Sequence, residues 1–89
     1  MGVFFMSYDL RKGRDYNKLY KELERLKAVR VLESVWSIKI ALDDDVDDYF
    51  GTVTLRAHFA KYIDPDDGLV VIRADAWAGI KLDNTPHEF

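Results

Sequence analysis

The sequence predicts an α+β fold, an antiparallel sheet with two helices on one face. Three observations carry this expectation. Apolar or β-branched runs at 3–8, 29–42 and 69–74 have strand character. Two longer segments, 15–27 and 46–60, repeat their apolar residues at helical spacing. The two kinds of segment follow one another as β-α-β-β-α-β. With 89 residues, 48% hydrophobic and 33% charged, the chain has the balance of one small globular domain rather than a disordered segment.

Each element follows from its residues. Val3 to Tyr8 is apolar at nearly every position and rich in aromatics, as a strand covered on both faces would be. Asp9 to Arg14 holds a glycine and several charges and reads as a loop. Tyr16, Leu19, Tyr20, Leu23 and Leu26 then form one helical stripe, with Asp15 positioned to cap the first amides and Lys27 to suit the last turn. Val29 to Leu42 is too long for one strand, so it divides into Val29–Leu32 and Val35–Ala41 around a bend or bulge at Glu33-Ser34. Asp44 or Asp45 is expected to cap a second helix with Val46, Phe50, Val53, Ala57 and Ala60 on one stripe. Asp64-Pro65-Asp66-Asp67-Gly68 is a stop and turn, Leu69 to Ala74 a strand, and Trp77 to Leu82 an expected short edge strand.

This order is the split βαβ, or ferredoxin-like, arrangement with an extra C-terminal edge strand. The expected domain covers residues 1–82, with 83–89 as a flexible tail. Such a sheet has one open face, yet Val3–Tyr8 and Leu69–Ile72 offer apolar side chains to both faces. That mismatch predicts a partner on the open face, most simply a second copy, giving a homodimer.

Composition excludes several classes. No cysteine is present, so disulfides, zinc ribbons and a thiol nucleophile are ruled out. The longest apolar run is only a few residues, and the first nine lack both a basic n-region and the myristoylation pattern, where Met6 replaces the needed Ser or Thr. A cytoplasmic protein with no membrane association is expected. The net charge is −3, but residues 11–30 hold eight of the thirteen basic groups against three acids, leaving the rest at −8. A basic first helix suits phosphates, and the acidic segment Asp43–Asp48 suits repulsion or a basic partner.

Most candidate chemistry fails on its residues. Asp43, Asp45 and Asp47 take positions 1, 3 and 5 of a calcium loop, but Asp48 stands in place of its glycine and Thr54 in place of its bidentate Glu. The glycines do not gather into a phosphate loop, and His58 and His87 read as structural or solvated. Asp9 differs, since it ends an apolar strand where a sheet passes into a loop. It either accepts loop N–H groups or, paired with a second copy across a two-fold axis, shares a divalent ion that activates water against a phosphodiester.

Phe5-Met6-Ser7-Tyr8-Asp9-Leu10, a polar loop, an amphipathic helix and then Arg30-Val31-Leu32-Glu33-Ser34-Val35-Trp36 resemble the small CRISPR-associated adaptation nuclease superfamily. That group includes the virulence-associated protein D ribonucleases and stand-alone relatives, and the segment Asp43–Asp48 and Trp77-Ala78-Gly79 are more similar to the stand-alone branch. The family pattern has Phe where Trp36 stands. The resemblance spans 3–74 in topology and is specific at 5–10 and 30–36. It implies Asp9 as the metal-binding carboxylate, one from each subunit, with Mg²⁺ or Mn²⁺ as cofactor. It also implies Arg30 as a phosphate-facing base on the second strand and Ser34 as the bend residue beside the cleft. Arg11, Lys12, Arg14 and Lys18 would guide the RNA or DNA backbone.

Members of that superfamily differ in whether they cut, so three readings stay open: a metal-dependent endonuclease acting on RNA or DNA, a non-catalytic nucleic-acid-binding dimer, and an antitoxin-like protein-interaction dimer. In the last, the acidic segment and an exposed Trp77 edge would meet a basic protein partner.

Overall fold

The computed structural model describes residues 2–11, 16–41 and 48–88. Its elements are β1 (Gly2–Asp9), α1 (Asn17–Arg25), β2 (Val29–Leu32), β3 (Val35–Ile40), α2 (Asp48–Ala60) and β4 (Gly68–Arg73). The four strands form one antiparallel sheet in the order β2-β3-β1-β4. β1 is the longest strand, buries the most residues of the four and lies inside the sheet, where both its backbone edges are paired. Met6, for example, faces Trp36 of β3 on one side and Val71 of β4 on the other.

Strand alternation sorts the side chains. Phe4, Met6 and Tyr8 of β1 join Trp36 and Ile38 of β3, Tyr16, Leu19 and Leu23 from α1 and its approach, and Leu55 and Phe59 of α2 in a single buried cluster. Phe4, Met6, Leu19, Leu23, Ile38 and Phe59 are fully buried, each contributing about 1.5–3 kcal/mol by leaving water. The stripe expected for α1 is the one it buries. The caps expected of Asp15 and of Asp44 or Asp45 lie outside the described residues. α1 ends at Arg25 with Leu26 as its C-cap, and Lys27 follows at φ 59°, where the Lys27 N–H bonds the Glu24 carbonyl and the Ala28 N–H bonds that of Leu23. These two bonds make a Schellman stop with lysine in the left-handed position that favours glycine.

Two expectations are corrected. The inner face of α2 is Gly51, Leu55 and Phe59, not the stripe through Val53, Ala57 and Ala60; Ala57 and Ala60 are exposed. Both stripes have helical spacing, and burying Leu55 and Phe59 removes far more apolar area from water than burying Ala57 and Ala60 would. Val46 and the side chain of Phe50 lie outside what the structure describes. Trp77–Leu82 forms no strand. The chain folds back there, with Leu82 packed so closely over Gly79 that a Cβ at 79 would meet its side chain at 2.5 Å, and with Lys81 at φ 54°. An extended edge strand is incompatible with that turn. Trp77 is half-buried.

The segment expected as a tail lies against the sheet. The Asp83 N–H bonds the Val31 carbonyl, Asn84 Nδ2 donates to the Arg30 carbonyl, and the His87 N–H donates to the fully buried Ser37 Oγ at 3.0 Å. Ser37 Oγ also lies 2.6 Å from His87 Nδ1. No described helix is long and apolar enough to cross a membrane.

Candidate functional site

The ladder between β1 and β3 reaches its end at the bend, where the Tyr8 N–H bonds the Ser34 carbonyl at 3.2 Å. This bond places Asp9, the next residue of β1, beside a bend that lies far away in sequence. In β2, a register shift between Arg30 and Leu32 leaves Arg30 opposite Trp36 and Leu32 opposite Val35. Arg30 thereby shares the Trp36 side of the sheet. The result is a cavity of about 280 Å³ lined by Tyr8, Asp9, Leu10, Tyr20, Arg30, Glu33 and Ser34. Asp9, Arg30 and Ser34, singled out in the sequence, therefore share one cavity.

The Tyr8 hydroxyl holds this region together. It accepts from Trp36 Nε1 at 3.0 Å and from Arg30 Nη2 at 3.1 Å, and it donates to the Glu33 carbonyl at 3.2 Å. Arg30 Nε donates to the same carbonyl at 3.0 Å. The Arg30 guanidinium also sits 5.0 Å from the Tyr20 ring centre and 5.2 Å from that of Trp36, and those two rings stack at 6.4 Å and 18°. Burial acts to lower the Arg30 pKa, and the Tyr8 and Tyr20 hydroxyls more than reverse it, so the guanidinium stays charged. Burial pushes the Tyr20 phenol above its ordinary value, with the nearby Tyr8 adding to the rise. Arg30 is thus a fixed wall of the cavity.

Asp9 is well exposed, at 71% of its side chain, and pairs with Arg11 Nε at 3.0 Å. Arg11 is in turn tied to the turn before β4: its N–H bonds Asp67 Oδ1 at 2.7 Å and its Nη1 donates to the Asp66 carbonyl at 2.9 Å. Tyr16 Oη donates to the same Asp67 oxygen. Arg11 therefore clamps the β1 exit onto the Asp64–Gly68 turn. Lys18 is exposed on α1, and Lys12 and Arg14 lie outside the described residues.

Among the described residues, no group of three or more His, Cys, Asp or Glu side chains is placed to hold a metal ion. One carboxylate already paired with an arginine does not make a divalent-cation site, so the described residues of a single chain do not fit Mg²⁺ or Mn²⁺.

In the sequence Tyr8 and Tyr20 read only as apolar residues of a strand and a helix. Their hydroxyl partners lie on β2, β3 and the bend, and only the strand register reveals them. A buried polar clasp between the helices is likewise visible only in the structure. Glu22 of α1 accepts from Arg25 at 2.6 and 2.8 Å and lies 2.5 Å from His58 Nε2 of α2. The Arg25 hydrogen bonds outweigh burial and, with His58, hold the Glu22 carboxyl at about 2. Helical spacing alone showed neither the burial of Glu22 nor its partner across the helix pair.

No family model matches the chain, and no solved structure matches it.

Proposed function

We propose that this chain works as a nucleic-acid-interacting homodimer of ferredoxin-like architecture, resembling the CRISPR-associated metal-dependent endonucleases. The observation that carries the reading is the convergence of Asp9, Arg30 and Ser34 on one cavity at the end of β1. The architecture is supported by β3 lying between β1 and β2, and by both helices sharing one core with the even-numbered side of β1. The homodimer is supported by Val70 and Ile72, which are 50% and 51% exposed on the side of the sheet that also carries the half-buried Phe5 and Ser7. Exposed Lys18 and Lys21 on α1 favour phosphates as the ligand.

In the catalytic form of this reading, Asp9 from two copies would share the Mg²⁺ or Mn²⁺ that supplies Lewis-acid chemistry at a phosphodiester. A non-catalytic nucleic-acid-binding dimer is the second reading, and one observation favours it: the Asp9 carboxylate already holds Arg11 in place. A cleavage assay on labelled RNA and DNA with Mg²⁺ or Mn²⁺ separates the two. Cutting by the wild type that Asp9→Ala abolishes supports the endonuclease. A folded dimer that binds both substrates and cuts neither supports the binding protein.

A further inference from the structure

We propose that the cavity at the end of β1 is a subsite for a single unstacked nucleobase, with guanine the base that fits it best. The inference rests on the nucleic-acid reading above and adds what part of the ligand this cavity takes. A volume of about 280 Å³ falls just under the range of about 300–1,000 Å³ typical of pockets for drug-sized ligands, so it suits a fragment the size of one base. Single-stranded nucleic acid is recognised by laying splayed-out bases on aromatic rings and arginine planes and by hydrogen-bonding their edges. Both kinds of surface line this cavity.

The flat wall is Tyr20 with the Arg30 guanidinium over it, backed by the stacked Trp36 ring. It is built in advance of any ligand. Arg30 is fixed through Nε and Nη2, and the Tyr8 hydroxyl that receives Nη2 is itself held by Trp36 Nε1 and the Glu33 carbonyl. A wall ordered before binding loses little conformational freedom when a base settles on it. These bonds hold the guanidinium plane in place, which suits Arg30 to stacking.

The polar lining selects the base. Asp9 brings an exposed carboxylate, of which Oδ2 also accepts from Arg11 Nε, and Ser34 a half-buried bend residue to the same cavity. A carboxylate acts as acceptor only, and guanine offers it two adjacent donors, N1–H and the N2 amino group, on its Watson–Crick edge. Uracil presents one N–H flanked by two carbonyls, which repel a carboxylate. Charge and hydrogen-bond pattern therefore both favour guanine over uracil.

The test uses fluorescence anisotropy with two labelled single-stranded hexaribonucleotides, one all uridine and one with a single central guanosine. The guanosine oligomer is expected to bind about tenfold more tightly, the low end of what a bidentate base contact discriminates. Tyr20→Ala and Asp9→Ala are each expected to bring the two oligomers within about twofold of one another. Asp9 is exposed, so Asp9→Ala keeps the test valid should Tyr20→Ala disturb the core. Equal binding of both oligomers to the wild type overturns the base subsite while leaving the nucleic-acid reading in place, and so does a preference that survives Asp9→Ala. Binding of neither oligomer at low salt overturns that reading and this inference together.

Discussion

At the scale of single residues, Tyr8 shows how one hydroxyl organises a site. Its ring belongs to the core, while its oxygen serves two donors and one acceptor from three other parts of the chain. Tyr8→Phe keeps the ring and leaves the buried Trp36 Nε1 without that acceptor. Such a loss costs about 1–3 kcal/mol, and urea unfolding should show it as a lower midpoint with an unchanged slope. A change below about 0.5 kcal/mol would mean that the hydroxyl is dispensable. The residues of the site were legible as residue types: Asp9 stood out at the end of an apolar strand and Ser34 at a bend. The network joining them was not legible, because the bulge in β2 decides on which side of the sheet Arg30 falls, and periodicity does not encode a bulge.

At the scale of elements, α1 depends on its last turn and on its contact with α2. Lys27 at φ 59° pays the steric penalty of a left-handed residue, which glycine avoids. Lys27→Gly should therefore raise stability by about 0.5–1 kcal/mol in the same unfolding experiment, and a loss of stability would contradict the Schellman reading of this stop. The Glu22 clasp makes a prediction about pH. Its carboxyl lies at about 2 in the folded chain against an ordinary value of 4.5. The unfolded chain thus binds the proton first, so the clasp stabilises fully above 4.5 and its contribution is lost as pH falls towards 2. Melting temperatures measured across this window should fall more steeply for the wild type than for Glu22→Gln, and parallel curves would contradict the assignment. The strands and α1 were readable from period and parity. In α2 two helical stripes competed, and the choice between them depends on which side meets the sheet. The turn at 79–82 escaped because Trp77, Ile80 and Leu82 mimic a strand in composition while the backbone folds back.

At the scale of the whole molecule, the sheet is covered unevenly. One side is closed by the cluster shared with α1 and α2, and on the other the segment 83–87 is bonded to β2 and β3 while Val70 and Ile72 of β4 stay half exposed. The apolar runs of β1 and β4 foreshadowed this in the sequence, since no single layer of helices covers both faces. If a second copy covers β4, light scattering should give the wild type twice the mass of one chain at micromolar concentration. Val70→Lys together with Ile72→Lys should give one chain's mass with unchanged circular dichroism. A monomeric wild type would remove the paired-Asp9 site.

Nucleic-acid binding by this chain is tested most directly by the affinity of the wild-type protein for a labelled single strand as salt is raised. Binding is expected at low salt and weakens steeply, with the logarithm of the association constant falling linearly against the logarithm of salt concentration as displaced counterions require. No binding at low salt, or an affinity indifferent to salt, would contradict it.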